Sequence, residues 1–185
     1  MQLGPAVALA EEHLAGLEPR WTHVRAVGRT AERLCREHGL SQDLAAAAWL
    51  HDIGYGPQLA DTGFHPVDGA RFLRRIGASI LVTSLVAYHS GATFEAEERG
   101  LVKELGEFEP PPAQLLDALV LVDMTTSPTG ERLTVEDRLT EILSRYAPSD
   151  PVFRAVTRSA PVLRESAARA AARLGLSDVG SVPML

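Results

Sequence analysis

Apolar residues recur at helical spacing along almost the whole chain, and this periodicity limits the possible folds more than any other feature. In the segment 21–39, Val24, Val27, Ala31 and Leu34 form one apolar stripe, with charged residues opposite. Such spacing places the four side chains on one face of an α-helix. No segment alternates convincingly as a half-buried strand does, so the sequence predicts an all-α protein.

Residues that start and stop helices divide the chain further. Ser41 is a typical N-cap, Pro66 is a favoured first helical residue, and Thr134 opens a capping box with Asp137. The charged segment 91–112 ends in a run of prolines and is predicted to be a loop or partial lid. The predicted helices cover 21–39, 42–54, 65–77, 78–90, 113–127, 134–146 and 151–174, the last interrupted at Pro161.

Length and composition indicate one domain. A chain of 185 residues with 45% hydrophobic content can bury a proper core. We therefore expect a single helical bundle over 1–185, with a core at about 20–140 and a C-terminal helical extension at 141–185. The single cysteine, the absence of a secretory pattern at the start and the short apolar runs predict a cytoplasmic protein that does not enter membranes.

Charge limits the kinds of partner. The net charge of −6 argues against stable, non-specific nucleic-acid binding, which depends on basic surface. Of the 18 basic residues only Lys103 is a lysine. Arginine suits bidentate phosphate recognition, although an arginine-rich genome is the simpler explanation. An anionic partner must then be held locally, and a second copy of the chain in a homodimer remains an open option.

Polar residues interrupt two of the most apolar segments. His51 and Asp52 follow the run "AAAAWL", and Asp123 lies within "LVLVDMTT". A buried, ionised carboxylate without a partner is strongly unfavourable, so Asp123 requires a cation or strong hydrogen-bond donors. No basic residue neighbours these positions in sequence, whereas a bound metal would satisfy all of them.

Imidazole and carboxylate together form the ligand set of Zn, Fe, Mn, Co or Ni, while calcium takes mostly oxygen. Adjacent helical residues project about 100° apart, so His51 and Asp52 can reach one centre only at a helix end. Gly54 and Gly56 allow the backbone to leave the helical conformation there. A bridging Asp52 could then hold two metals.

The order His23, His51–Asp52, Asp123 resembles the H…HD…D pattern of the HD-domain superfamily of metal-dependent phosphohydrolases, over roughly residues 20–140. His65 and His89 resemble the extra histidines of its binuclear subgroup. The resemblance implies a five-helix metal-binding core and one or two divalent transition metals. In that scheme one metal is held by His23, His51, Asp52 and Asp123, and the other by Asp52, His65 and His89.

The resemblance also implies a reaction, with His51 and Asp52 as the catalytic residues. A metal-activated water would hydrolyse a nucleotide or another small phosphate ester or anhydride. This small-molecule phosphate is the expected partner, and the candidates for binding it are Arg71, Arg74, Arg75, Arg132 and Arg138. Each of these arginines could equally belong to a solvated helix face.

Three alternatives stay open at this stage. Some members of the superfamily use the same ligands to hold two irons in an oxygenase that cleaves a small organic substrate. A non-catalytic domain that senses a nucleotide is a further option. Taken one at a time, the histidines also have structural interpretations, since His23 could be exposed, His65 could cap its helix, and His89 could meet the negative end of its own helix.

Overall fold

The computed structural model describes residues 1–176 and consists of α-helices joined by short turns. Over this range there is no strand, only an isolated bridge between Thr126 and Arg132. The helices are α1 (Leu3–Leu14), α2 (Arg20–His38), α3 (Gln42–Leu50), α4 (His65–Arg75), α5 (Ile80–Tyr88), α6 (Ala92–Arg99), α7 (Val102–Leu105), α8 (Ala113–Asp123), α9 (Val135–Ser144) and α10 (Pro151–Arg173). The prediction of a single all-α domain is confirmed.

The predicted caps stand where the sequence places them. The Ser41 hydroxyl accepts a hydrogen bond from the backbone N–H of Asp43 at the start of α3. Thr134 accepts in the same way from Asp137 at the start of α9. Asp150 caps α10. These bonds satisfy N–H groups that the first turn of a helix leaves unpaired.

The structure differs from prediction at several places. Helix α1 was not among the predicted helices, and the helix predicted to run to Gly54 ends at Leu50. The segment 91–112 is not simply a loop, since α6 and α7 occupy much of it, and α6 is held by packing against α10. Helix α10 runs through Pro161 without interruption because α6, α8 and α9 pack along it. Helix α8 ends at Asp123, where the hydroxyls of Thr125 and Thr126 bond to carbonyls of its last turn. The part of the predicted C-terminal extension at 177–185 lies outside the described residues.

Helix α3 lies at the centre of the bundle and packs against α1, α2, α5 and α8. Its residues 44–50 are all buried, and the alanine run keeps the helix thin enough for these four neighbours. Gly28 of α2 allows a close approach, because a Cβ there would lie 2.4 Å from the Trp49 ring. The Trp49 indole N–H in turn donates to Glu32 at 2.6 Å.

Within residues 1–176, the structure contains no helix with the length and apolar character needed to span a lipid bilayer.

Candidate metal centre

Five helices bring the six predicted ligands together in the interior. His23 lies in the first turn of α2, His51 and Asp52 directly follow α3, and His65 begins α4. The remaining two are His89, which follows α5, and Asp123, the last residue of α8. All are buried except His65, whose side chain is 14% exposed. Each ligand lies at or near a helix end, as the adjacent pair His51–Asp52 requires.

Asp52 lies between two sets of histidines. Its Oδ2 is 3.6 Å from His51 Nε2, and its Oδ1 is 3.3 Å from His65 Nε2 and 3.7 Å from His89 Nε2. In each of the groups His23–His51–Asp52 and Asp52–His65–His89, the possible ligand atoms lie within 4.8 Å of one another. The Asp52 carboxylate is therefore common to both groups of possible ligand atoms.

Backbone carbonyls orient three of the imidazoles. His23 Nδ1 lies 3.1 Å from the Ser127 carbonyl oxygen. His51 Nδ1 lies 2.8 Å from the Ala48 carbonyl oxygen, and His89 Nδ1 lies 2.7 Å from that of Val86. A carbonyl can only accept, so each Nδ1 carries a proton and each Nε2 faces the centre, where it presents a lone pair whenever the ring is neutral. This arrangement is typical of metal-binding histidines, whose other ring nitrogen is held by an outer partner.

His51 Nε2 provides the test of whether a metal fits. This atom is buried, and no hydrogen-bond partner reaches it within the described part of the chain. The nearest carboxylate oxygens are Asp52 Oδ2 at 3.6 Å and Asp123 Oδ1 at 4.0 Å. Burial lowers the pKa of His51 to about 4, which keeps the ring neutral near pH 7. A buried lone pair between two carboxylates fits a divalent cation, since a metal ion would satisfy all three groups.

Arg20 is a functional neighbour that sequence reasoning missed. Its guanidinium donates to Asp52 Oδ2 and lies 3.4 Å from the centroid of the Tyr55 ring. Burial alone would raise the pKa of Asp52, but the positive charge of Arg20 holds that pKa well below its usual value. The signal was present in the sequence, because Arg20 and His23 are three residues apart and share one face of α2.

Asp123 is also held ionised by its neighbours. Its Oδ1 is 3.0 Å from His23 Nε2, and its Oδ2 accepts from the Ser90 hydroxyl. Burial would raise the pKa of Asp123, but the contact with His23 and the positive charge of Arg138 lower it instead. Ser90 has left-handed backbone angles (φ 44°, ψ 45°), an unfavourable conformation for a residue with a side chain. Sequence reasoning did not find Ser90.

Gly54 brings the start of α4 against the end of α3. A Cβ at Gly54 would lie 2.0 Å from the His65 carbonyl oxygen and 2.7 Å from the Gly69 backbone nitrogen. Only glycine permits this approach, which sets His65 beside Asp52. Tyr55, the next residue, stacks on the His65 ring with centroids 4.0 Å apart. The stretch "HDIGYG" thus contains two candidate ligands and also positions a third.

Two adjoining cavities lead to the centre. The inner one has a volume of about 100 Å³ and is lined by ligands that include Asp52, His65 and Asp123. The outer one has a volume of about 410 Å³. Both are lined by Arg20, Arg138 and Arg145, so three cations border the cavities beside the carboxylates.

The predicted substrate-binding arginines do not all lie near this opening. Arg138 lines both cavities. Arg71 and Arg74 instead pair with Glu107, and Arg75 lies over the Phe72 ring, all outside the cavity linings. Arg132 lines a separate cavity. The positions of these four residues give their predicted role no support, and Arg20 and Arg145 are the additional candidates that the structure supplies.

Comparison with protein families agrees with this geometry. A profile of the HD domain family matches residues 20–147, which include all six candidate ligands. The chain belongs to the HD domain family. This family is a superfamily of metal-dependent phosphohydrolases, in which some members are non-catalytic. Comparison with curated proteins and with solved structures found no significant match.

Proposed function

We propose that this HD domain protein is a metal-dependent phosphohydrolase that acts on a nucleotide or another small phosphate ester or anhydride. The observation that carries the proposal is the buried Asp52 carboxylate, shared between His51 on one side and His65 and His89 on the other. Membership of the HD domain family supports the same reaction class.

The ligand assignment follows from the two histidine sets. His23, His51, Asp52 and Asp123 would hold one divalent transition metal, and Asp52, His65 and His89 would hold a second. A divalent ion in such a site lowers the pKa of a coordinated water and polarises a phosphoryl oxygen. The protein side chains hold the carboxylates ionised and direct the imidazole lone pairs inward, so the site is organised before substrate arrives.

Arg20, Arg138 and Arg145 are the proposed phosphate-binding residues. The Arg138 side chain is only 9% exposed, and its Nε has no hydrogen-bond partner among residues 1–176. An Nη atom of Arg138 pairs with Glu141, which leaves the rest of the guanidinium for an anion. Phosphate oxygens match guanidinium donors in geometry and charge. These three arginines would orient the phosphate towards the carboxylate-rich end of the cavity.

The cavity volume sets the size of the proposed substrate. The outer cavity of about 410 Å³ lies within the range of roughly 300–1,000 Å³ that is usual for small-molecule sites. A nucleotide or a comparable phosphomonoester would place its phosphate at the inner cavity and the remainder in the outer one. We assign no nucleic-acid partner, because the chain has a net charge of −6.

The test is a substrate screen under controlled metal and oxygen. Protein purified without chelator is incubated with nucleotides and phosphomonoesters in the presence of Mn, Co, Ni, Zn or Fe, with and without dioxygen. We expect phosphate release that does not depend on dioxygen. Asp123→Ala should lower the rate by about 100-fold or more, as expected for loss of a ligand. Asp61→Asn, on the exposed surface, is the matched control.

The other outcomes separate the alternatives. Dioxygen consumption that requires iron, with no phosphate ester cleaved by any metal, would replace the proposal by a di-iron oxygenase. Nucleotide binding without turnover under all conditions would indicate a sensing domain.

A further inference from the structure

A second polar cavity lies between α2 and the loop at 124–134, and it shares no lining residue with the metal cavity. Its volume is about 240 Å³. Four arginines line it, namely Arg25, Arg29, Arg33 and Arg132, together with threonines from both segments. No carboxylate lines it in the described part of the chain. In a protein with a net charge of −6, such a concentration of cations requires an explanation.

Helix α2 places three of these cations on one face. Arg25, Arg29 and Arg33 follow one another at intervals of four residues, so they are neighbours along the helix surface. Like charges at this spacing destabilise a helix. Neither Arg25 nor Arg29 has an ion-pair partner within residues 1–176. Arg25 donates to the Thr22 hydroxyl and lies over the Trp21 ring. The helix therefore carries an unneutralised positive face beside the cavity.

Arg33 is the most informative of the group. Its side chain is only 8% exposed, and its Nε and one Nη have no hydrogen-bond partner among the described residues. Its ion-pair partner among residues 1–176 is Glu37, whose Oε1 lies 3.9 Å from Nε on an exposed side chain. A buried guanidinium without acceptors is unfavourable, because its charge has lost water and gained little in return. A bound anion would supply the missing acceptors.

We propose that this cavity is a binding site for a small phosphate anion, with a diphosphate group as the favoured ligand. Guanidinium groups bind phosphate oxygens with paired hydrogen bonds. The volume is below the roughly 300–1,000 Å³ of drug-sized pockets, which favours the phosphate group over a whole nucleotide.

The site is connected to the metal centre through the backbone. Thr125 and Thr126 closely follow Asp123, and the Ser127 carbonyl accepts from His23 Nδ1. An anion bound here would contact both segments that carry these two ligands. Because it would bind only the folded chain, it should also raise the melting temperature.

The experiment is calorimetric titration of the full-length protein with methylenediphosphonate, which carries the charges of diphosphate and resists hydrolysis. Arg29→Gln and Arg33→Gln should each weaken binding about tenfold or more, through loss of charged hydrogen bonds. Arg36→Gln, an exposed arginine on the same helix, is the matched control and should bind as the unmodified protein does. Asp52→Ala, which removes the bridging ligand of the metal centre, should also retain binding. Arg29 is exposed, so its variant remains informative if Arg33→Gln fails to fold.

Each alternative result has a definite meaning. Loss of binding in Asp52→Ala, with binding kept in the arginine variants, would place the anion at the metal centre and overturn the proposal. If Arg36→Gln weakened binding as much as the cavity variants do, the effect would come from overall charge, and the proposal would be overturned. If the unmodified protein did not bind methylenediphosphonate at all, the proposal would likewise be overturned. A parallel titration with adenosine diphosphate distinguishes the two sources of the group: tighter binding than methylenediphosphonate would assign the site to the diphosphate end of a nucleotide. Failure of the phosphohydrolase screen leaves this test unaffected, because binding is measured directly.

Discussion

The Nε2 atoms of His65 and His89 lie 3.1 Å apart in the interior of the bundle. Since Nδ1 of His89 carries the proton that bonds to the Val86 carbonyl, Nε2 of His89 presents a lone pair. Two imidazole nitrogens at this distance require either a proton or a cation between them. Asp52 Oδ1 lies within 3.7 Å of both nitrogens, so a metal cation here would satisfy two imidazoles and a carboxylate together.

Removal of either histidine is therefore expected to empty one metal position. His65→Ala and His89→Ala should each lower the metal content towards one ion per chain, because His23, His51 and Asp123 remain for the other ion. Elemental analysis after gel filtration gives the content, and circular dichroism checks the fold. A variant that keeps two ions and full activity would show that the histidine concerned is not a ligand.

Asp52→Ala should have a larger effect than either histidine variant. The Asp52 carboxylate is common to both groups of ligand atoms, so its loss weakens both positions together. We expect less than about a tenth of the metal content of the unmodified protein, given the usual 10–100-fold effect of disturbing a metal site. Asp61→Asn, with a side chain that is 76% exposed, should leave the content unchanged. Full metal content in Asp52→Ala would refute the bridging role.

Arg138→Met and Arg71→Met compare an arginine inside the cavity with one outside it. Arg138 lines both adjoining cavities, whereas Arg71 pairs with Glu107 and Asp61 at the surface. The KM for the best substrate of the screen should rise about tenfold in Arg138→Met, because a charged hydrogen bond to phosphate is lost. Metal content should stay the same. An unchanged KM in Arg138→Met, or an equal rise in Arg71→Met, would remove Arg138 from the substrate site.

Ser90 allows a test of backbone conformation at the centre. Ser90→Ala and Ser90→Gly both lose the hydroxyl that donates to Asp123, but only glycine adopts φ 44° at little steric penalty. Ser90→Gly should therefore be more stable than Ser90→Ala by about 1 kcal/mol. Urea denaturation measures the difference. Equal free energies of unfolding would mean that the left-handed conformation is not retained.

The contact between α8 and α10 depends on Asp117. Its side chain is 3% exposed and accepts two hydrogen bonds from Arg169, at 3.0 and 2.7 Å, and one from Arg173 at 2.9 Å. Asp117→Asn should lower the free energy of unfolding by about 2 kcal/mol, since the two arginines lose a buried anion. Glu136→Gln breaks the exposed pair with Arg164 and should change stability by less than about 1 kcal/mol.

The same carboxylate predicts a pH dependence. Burial would raise the pKa of Asp117, but the bonds from Arg169 and Arg173 lower it below its ordinary value of 3.8. A lowered pKa in the folded state means that the stabilisation is complete above about pH 4 and disappears as the pH falls through the folded-state pKa. The difference between the unmodified protein and Asp117→Asn should therefore narrow in acid. A constant difference down to pH 2 would contradict this assignment.

Much of the fold and of the ligand set could be predicted from the sequence, because both depend on local patterns. Helical periodicity and the caps at Ser41 and Thr134 act within a few residues. The misfit of Asp123 among apolar neighbours is visible without any tertiary contact. The order of His23, His51–Asp52 and Asp123 then led to the family that the profile match shows.

Only the tertiary structure decided which groups meet across long stretches of chain. Arg20 reaches Asp52 over 32 residues, and Ser90 reaches Asp123 over 33. Arg71 and Arg74 were equally plausible phosphate ligands by type, yet packing places Glu107 against them. The helical structure of 91–112 likewise depends on α10, which comes much later in the sequence. A side chain's partners depend on how helices cross, and the crossing is determined by close approaches such as Gly28 against Trp49 and Gly54 against His65. Local sequence patterns do not determine those distances, because each one joins residues that are far apart in the chain or in different helices.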